Sequence, residues 1–375
     1  MVGPVDRYDL AVVGSGILGL AHALAAARRG LRVVVVDRDH KANGASIRNF
    51  GLVVVTGQDA GPSRRRAERS RQIWLDLAEE AGVQIIQRGK VVAAQRPEAL
   101  ALLEAFKAGP DGAGCELLTA REAARRLDGL DGKALVGGLY SPLELRVESR
   151  EVLPRLTSFL AERHGVEFRH GISVTSVATP VVETSSGRLH ASKIVVCPGD
   201  DFASLYPERI GQYGIRRCKL QMLRLADPGR RFSSALTSDL SLLRYGGFSS
   251  LPEAEALRGT LSEQCGAALD NGVHLIVVQS ADGSLVIGDS HHYGMTLDPF
   301  GSEAVDGLIL NEFKVLFGGK APEVIARWTG TYASAPHAMI RDAPHDDVRL
   351  VIVTSGTGAS TGFAIGEETI AELFG

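Results

Sequence analysis

Cysteine is scarce in this chain, with four residues among 375 (Cys115, Cys197, Cys218 and Cys265). None stands in C-x-x-C spacing, which argues against a disulfide framework and against a thiolate metal centre. Cys197 closes the apolar run from Ile194 and reads as a small buried hydrophobe. No apolar stretch reaches the roughly 18–20 residues that a membrane span needs. No charged-then-apolar leader precedes the first strand near Tyr8, so the cytoplasm is the expected compartment. Neither sign of charge prevails: 41 Lys and Arg face 44 Asp and Glu, for a net charge of −3. A nucleic-acid binder needs a concentrated basic face. The densest basic stretch, Arg64 to Arg71, is interrupted by Ala67, Glu68 and Ser70 and reads as a solvated helix face. What remains is an ordinary globular composition, 45% hydrophobic and 23% charged, in a chain long enough for two packed domains.

The first forty residues are the most informative. Tyr8 to Val13 is an apolar run suited to a buried parallel strand, and it leads directly into Gly14-Ser15-Gly16-Ile17-Leu18-Gly19. Leu20 to Arg29 is rich in Ala and Leu and predicts a helix, which Gly30 ends. A second strand, Arg32 to Val36, runs out onto Asp37 and Arg38. This is a G-x-G-x-x-G turn in its full context. Gly14 permits the tight turn, Gly16 lets backbone approach a pyrophosphate, and Gly19 lets helix and strand pack closely. The helix start offers free N–H groups and partial positive charge, with Ile17 and Leu18 in its first turn, and Asp37 is placed for ribose hydroxyls. The pattern predicts dinucleotide binding.

Lys41 to Gln58 follows, with Gly44-Ala45-Ser46 and then Asn49-Phe50-Gly51. Here the sequence resembles the amine-oxidising FAD enzymes that include D-amino acid oxidase, glycine oxidase and monomeric sarcosine oxidase. The resemblance implies FAD, with Gly44, Ala45 and Ser46 at the pyrophosphate and Arg48, Asn49 and Gly51 along the ribityl chain or ring. It further implies adenine contact by the Val174 backbone and a turn at Pro198-Gly199-Asp200. A second glycine turn, Gly356-Thr357-Gly358 with Ser360, Thr361 and Gly362, opens the last helix, and in the family such a turn meets the flavin pyrimidine edge. The likeness runs nearly end to end. It is strongest to a subfamily encoded near phosphonate-catabolism genes, through Gly44 to Gly51, Arg217 to Met222 and Ile287 to Gly294. That subfamily implies aminoethylphosphonate derivatives as substrates, N-methylated ones included.

The expected fold class is α/β: an FAD-binding Rossmann-like βαβ domain and a second, mainly antiparallel α+β substrate domain, glutathione-reductase-type and D-amino acid oxidase-like. The expected boundaries are 1–82, 141–213 and 326–375 for the first and 83–140 and 214–325 for the second. The sequence shows no internal repeat.

Amine oxidation by flavin needs a dry slot, an unprotonated amine and an anchor for the far end of the substrate. Relatives use an arginine in the stretch matching Trp328 to Pro336. This chain has none there, and Tyr332 is polar but uncharged, so recognition of an α-carboxylate in the usual form is expected to be missing. A phosphonate also wants cations, and Lys219, Arg48, His291 and His292 are the candidates, with Tyr332 nearby. Lys219 has a competing reading on the solvent side, Gln221 shares its face, and only one of the adjacent histidines can point inward. Arg244 and Tyr245 stand in a stretch that reads as a lid. Sarcosine oxidases attach flavin through a cysteine in the stretch equivalent to Thr331 to Pro336, which is cysteine-free here, so FAD is expected to be noncovalent. They also carry a lysine where this chain has Val286, which leaves oxygen, a quinone or an electron-transfer protein as acceptor. The alternatives to an aminophosphonate oxidoreductase are an oxidase of a secondary or cyclic amino acid and a flavoprotein subunit active only in a heteromer.

Overall fold

Arg7–Val13 and the valine run of Val33–Asp37 form adjacent parallel strands, as β-branched segments buried on both faces do. They belong to a computed structural model of the chain, which describes residues 7–127 and 129–375. The helix between them, Ile17–Ala27, is buried nearly all round. Its alanines admit the C-terminal helix Gly358–Phe374 so closely that a Cβ on Gly366 would meet the Ala21 carbonyl at 2.8 Å.

Six strands of the first sheet lie in the order Met339–His345, Val348–Val353, Gly187–Val196, Arg7–Val13, Val33–Asp37, Glu167–His170. All are parallel to their neighbours except the first. The strands Val174–Ala178 and Val181–Thr184 extend it as an antiparallel hairpin on the Gly187 end. This is the expected Rossmann-like βαβ architecture, with helices packed against one face.

The second sheet is antiparallel except where Ala235–Thr237 lies parallel to Gln87–Ala94. Its long strand Arg216–Leu225 pairs along one edge with Val324–Ser334 and along the other with Leu285–Gly288 and His292–Gly294. Gly137–Arg146 and Val324–Ser334 both lie wholly in this sheet. The second sheet therefore extends past residues 140 and 325, because each strand enters it before the chain returns to the first.

The basic stretch sits on the helix Pro62–Glu80, where Arg65, Glu68 and Arg69 are exposed as a solvated face expects, while Arg66 and Arg71 are half-buried and Arg64 is buried. Arg66 pairs with Glu368 and Arg69 with Glu367 on the C-terminal helix, while Arg71 donates to the Leu143 carbonyl. Arg64 is buried against Glu68 and the Val55 carbonyl. Partners distant in sequence supply the acids, so spacing alone could not show them. Among the described residues, no helix is long and apolar enough to cross a membrane.

Candidate active site

A cavity of about 500 Å³ runs from the first glycine turn, between the sheets, to the second sheet. At its first end Gly14 has φ +102°, and a Cβ there would meet the Cys197 carbonyl at 2.4 Å. A Cβ on Gly19 would lie 1.8 Å from the Gly14 carbonyl, so helix and strand meet only because both positions are glycine. Gly16 lines the cavity beside Ser46, whose Oγ accepts the Ile17 N–H at 3.0 Å. That hydroxyl keeps its own proton free to donate. Asp37 also lines the cavity; its Oδ2 accepts the Ser15 N–H at 2.6 Å and the Ser15 hydroxyl at 2.8 Å. Arg38 pairs with Asp201 on the opposite rim.

Ile17, Leu18, Gly44, Ala45, Arg48, Asn49, Val174, Gly199, Gly356, Thr357, Gly358 and Ser360 also line this cavity. The Asn49 side chain is spent on the loop: Nδ2 donates to the Ala45 carbonyl, and Oδ1 accepts from the Gly51 N–H and from Ser149 Oγ. Gly51 itself stands behind the wall, with φ +64° and its Cβ direction blocked by the Val147 carbonyl at 1.9 Å. Thr361 is buried one residue past the wall, its hydroxyl bonded back to the Thr357 carbonyl at 3.0 Å.

At the far end the long strand alternates. Cys218, Leu220 and Met222 pack with Phe50, Leu52 and Val54 on the cavity side. Lys219 therefore faces away. Its ammonium donates to the Asp298 and Phe300 carbonyls at 2.7 and 3.0 Å, so it is a strand-to-loop clamp outside the site. Gln221 shares that face and bonds Ser302 and Asp306. Arg48 reaches the cavity and donates to Asn43 Oδ1 at 3.0 Å.

The far end is instead made polar by Arg244, Tyr332, His274, Asp289 and His291. Arg244, at the end of the 3-10 helix Asp239–Leu243, donates to Tyr293 Oη at 3.0 Å and Tyr332 Oη at 3.5 Å. Burial pushes the Tyr332 phenol up, so it stays protonated. His291 lines the cavity with Nδ1 2.8 Å from the Gly272 carbonyl, while His292 turns outward to Asn271. His274 stacks on His291 with ring centres 5.1 Å apart, and its Nδ1 lies 3.0 Å from Ser241 Oγ. Burial lowers both imidazoles, that of His291 to about 3, so both are neutral. Asp289 sits between them, 3.1 Å from His274 Nε2 and 3.8 Å from His291 Nε2. Burial raises its carboxyl to about 7, opposed by Arg244. Asp289 and His274 escaped the sequence reading. The alternation that places His291 inward also places Asp289 inward two residues earlier, whereas His274 arrives only through the pairing of Ile276 with Gly288.

A strand, glycine turn and helix at one end of the cavity, an acid ending the second strand and a second glycine turn on a helix start define a dinucleotide-binding protein. A family model described as FAD dependent oxidoreductase (DAO) matches residues 9–372, and the chain belongs to this family. Its cofactor is accordingly FAD. Glycine oxidase of Geobacillus kaustophilus (strain HTA426) is 26% identical over 218 residues, which are 55% of this chain and 58% of that relative's length. The chain thus spans less than two thirds of that protein in sequence. The crystal structure of glycine oxidase from Geobacillus kaustophilus superposes with a TM-score of 0.77 at 20% identity, covering 98% of this chain and 94% of that one. L-proline dehydrogenase from P. horikoshii gives 0.79 at 19% identity, with 98% and 93% covered. L-alpha-glycerophosphate oxidase from Mycoplasma pneumoniae, with FAD bound, gives 0.75 at 16%, with 98% and 95% covered. The chain is an FAD-dependent oxidoreductase.

Proposed function

We propose that this enzyme oxidises the C–N bond of a small amine that carries an anionic group, an aminophosphonate such as N-methylated 2-aminoethylphosphonate. FAD, held noncovalently, supplies hydride acceptance from the carbon beside nitrogen, and water then splits the iminium to aldehyde and amine. Oxygen, a quinone or an electron-transfer protein is the final acceptor.

The observation that carries this reading is Arg244. It lines the cavity, its guanidinium hydrogen-bonds the hydroxyls of Tyr293 and Tyr332, and no carboxylate pairs with it among the described residues. A guanidinium fork and the Tyr332 hydroxyl beside it suit an anion with three oxygens. The apolar wall of Leu52, Val54, Leu220 and Ile276 keeps water from the middle of the slot.

An amino acid oxidase is the second reading, and the same residue favours it. Arg244 supplies the cation that Trp328 to Pro336 lacks, so an α-carboxylate has a partner after all. Relatives named for glycine and L-proline support this reading.

The experiment is anaerobic bleaching of the flavin absorbance by a panel of amines: 2-aminoethylphosphonate, its N-methyl form, sarcosine, glycine, L-proline and D-alanine. Bleaching by an aminophosphonate alone is expected. Bleaching by the amino acids alone replaces the substrate class with the second reading. With the reducing amine, Arg244→Gln should raise the half-saturating concentration roughly 30- to 100-fold, the loss of a charge-assisted pair. A lowered limiting rate at unchanged half-saturation would remove Arg244 as the anchor.

A further inference from the structure

Asp289 is 4% exposed, and its Oδ1 has no hydrogen-bond partner. His274 Nε2 is 3.1 Å away, but off the line a hydrogen bond needs. Among the described residues that line the cavity, Asp289 alone has such an orphaned buried polar atom. An unpaired buried carboxylate costs several kcal/mol, on the order of 3–5 when a charged partner is missing, and such a group calls for an account. The missing partner has to be positive, small and able to enter the cavity.

We infer that Asp289 is the binding point and the proton acceptor for the ammonium group of the substrate, with His274 and His291 as positioning residues. The inference rests on the reading of the cavity as an amine site. In the step, one N–H bond of the ammonium breaks and an O–H bond forms on Asp289. The electron pair of the N–H bond stays on nitrogen, and no oxidant is consumed. The amine is left neutral, as C–N oxidation requires, and the carboxyl returns its proton to solvent between turnovers.

The surroundings support this role. The groups around Asp289 are His274, His291, Arg244, Tyr245 and Cys218. Both imidazoles are neutral and bring no charge to compete with an ammonium. Burial pushes up the Tyr245 phenol, and the Cys218 thiol to about 11, so neither adds negative charge near neutrality. Arg244 is left as the cation, and it serves the other end of the substrate. His291 is held by the Gly272 carbonyl and His274 by Ser241, so each ring is fixed beside the carboxyl. With Asp289 raised to about 7, proton transfer from an amine is about three orders of magnitude less uphill than to an exposed aspartate near ~3.9.

The test uses FAD-loaded enzyme and an amine that bleaches its flavin, followed anaerobically from pH 5.5 to 10. The wild-type bleaching rate per concentration should rise on a limb near neutrality. Asp289→Asn should be slower by roughly 10²- to 10³-fold at pH 7 and recover as the pH nears the amine's own pKa. A nitrogen-free analogue, 2-hydroxyethylphosphonate or glycolate, should bind the variant within about threefold of wild type, because the anion end is intact. An Asn variant that keeps the wild-type profile overturns the inference. So does a wild-type rate that climbs only toward the free-amine pKa, a result that stands even where the variant has lost the analogue. If no amine bleaches the wild type, the functional reading fails and takes this inference with it.

Discussion

The ionisation of Asp289 can be read without any substrate, through stability. Its carboxyl is raised from 3.8 to about 7, chiefly by burial. Between those values the folded chain holds a proton that the unfolded chain has released. Stability contributed by this group is therefore present at low pH and is lost as pH rises through the folded value near 7. Over the whole window the loss approaches about 4 kcal/mol, and between pH 5.5 and 8.5 it is about 2 kcal/mol. Asparagine has the same shape and no titration, so Asp289→Asn carries a constant offset and lacks this slope. The gap between variant and wild type should move about 2 kcal/mol in the variant's favour from pH 5.5 to 8.5. For a chain of 375 residues unfolding as one unit, that is roughly 2–3 °C in melting temperature. Thermal melts of FAD-loaded protein at the two pH values measure it, and using the difference of differences cancels the other titrating groups. A gap that stays constant, or moves the other way, would mean that Asp289 ionises normally in the folded chain, and the burial argument would be wrong.

Lys219→Met should leave half-saturation and limiting bleaching rate within about twofold of wild type, because the ammonium holds two loop carbonyls outside the cavity. The cost should appear in melting temperature, as the loss of about 1–3 kcal/mol of charge-assisted bonding; a large rise in half-saturation would return Lys219 to the site. Gly19→Ala puts a Cβ 1.8 Å from the Gly14 carbonyl, a contact that only a shift of helix against strand relieves. It should yield protein with little or no FAD by absorbance, destabilised by roughly 1–3 kcal/mol, and full FAD content would contradict the assigned role of the glycine turn.

The FAD half of the fold was legible because its signal is local. Gly14, Gly16 and Gly19 sit within six residues; Gly19 is needed for a contact inside the βαβ unit and Gly16 for one with the segment just after it, while the close approach at Gly14 is to the distant Cys197 carbonyl. Sheet membership was less legible. Gly137–Arg146 and Val324–Ser334 look like any alternating strand, and only their partners, Gln87–Ala94 and Arg216–Leu225, place them in the second sheet. The ion pairs of the basic helix were hidden for the same reason, since Glu367 and Glu368 lie some three hundred residues from Arg69 and Arg66.

The substrate end shows where period-2 reasoning stops. Alternation correctly put Lys219 and Gln221 on one face, yet it does not say which face is the cavity. That choice follows from what covers each side: the cavity-side cluster takes Cys218, Leu220 and Met222, while Leu223 and Leu225 pack into a separate core on the other. Apolar residues on both faces of the strand remove the polarity difference that usually breaks the tie. On the proposed reading the cation comes from Arg244, on a different segment, and the acid from Asp289, two residues before His291. Each lines the same cavity, and the hydrogen bonds of Arg244 run to two tyrosines rather than to Asp289. On the proposed reading, the exposed guanidinium of Arg244 and the buried carboxyl of Asp289 meet the two charges of one ligand, which a zwitterionic amine carries.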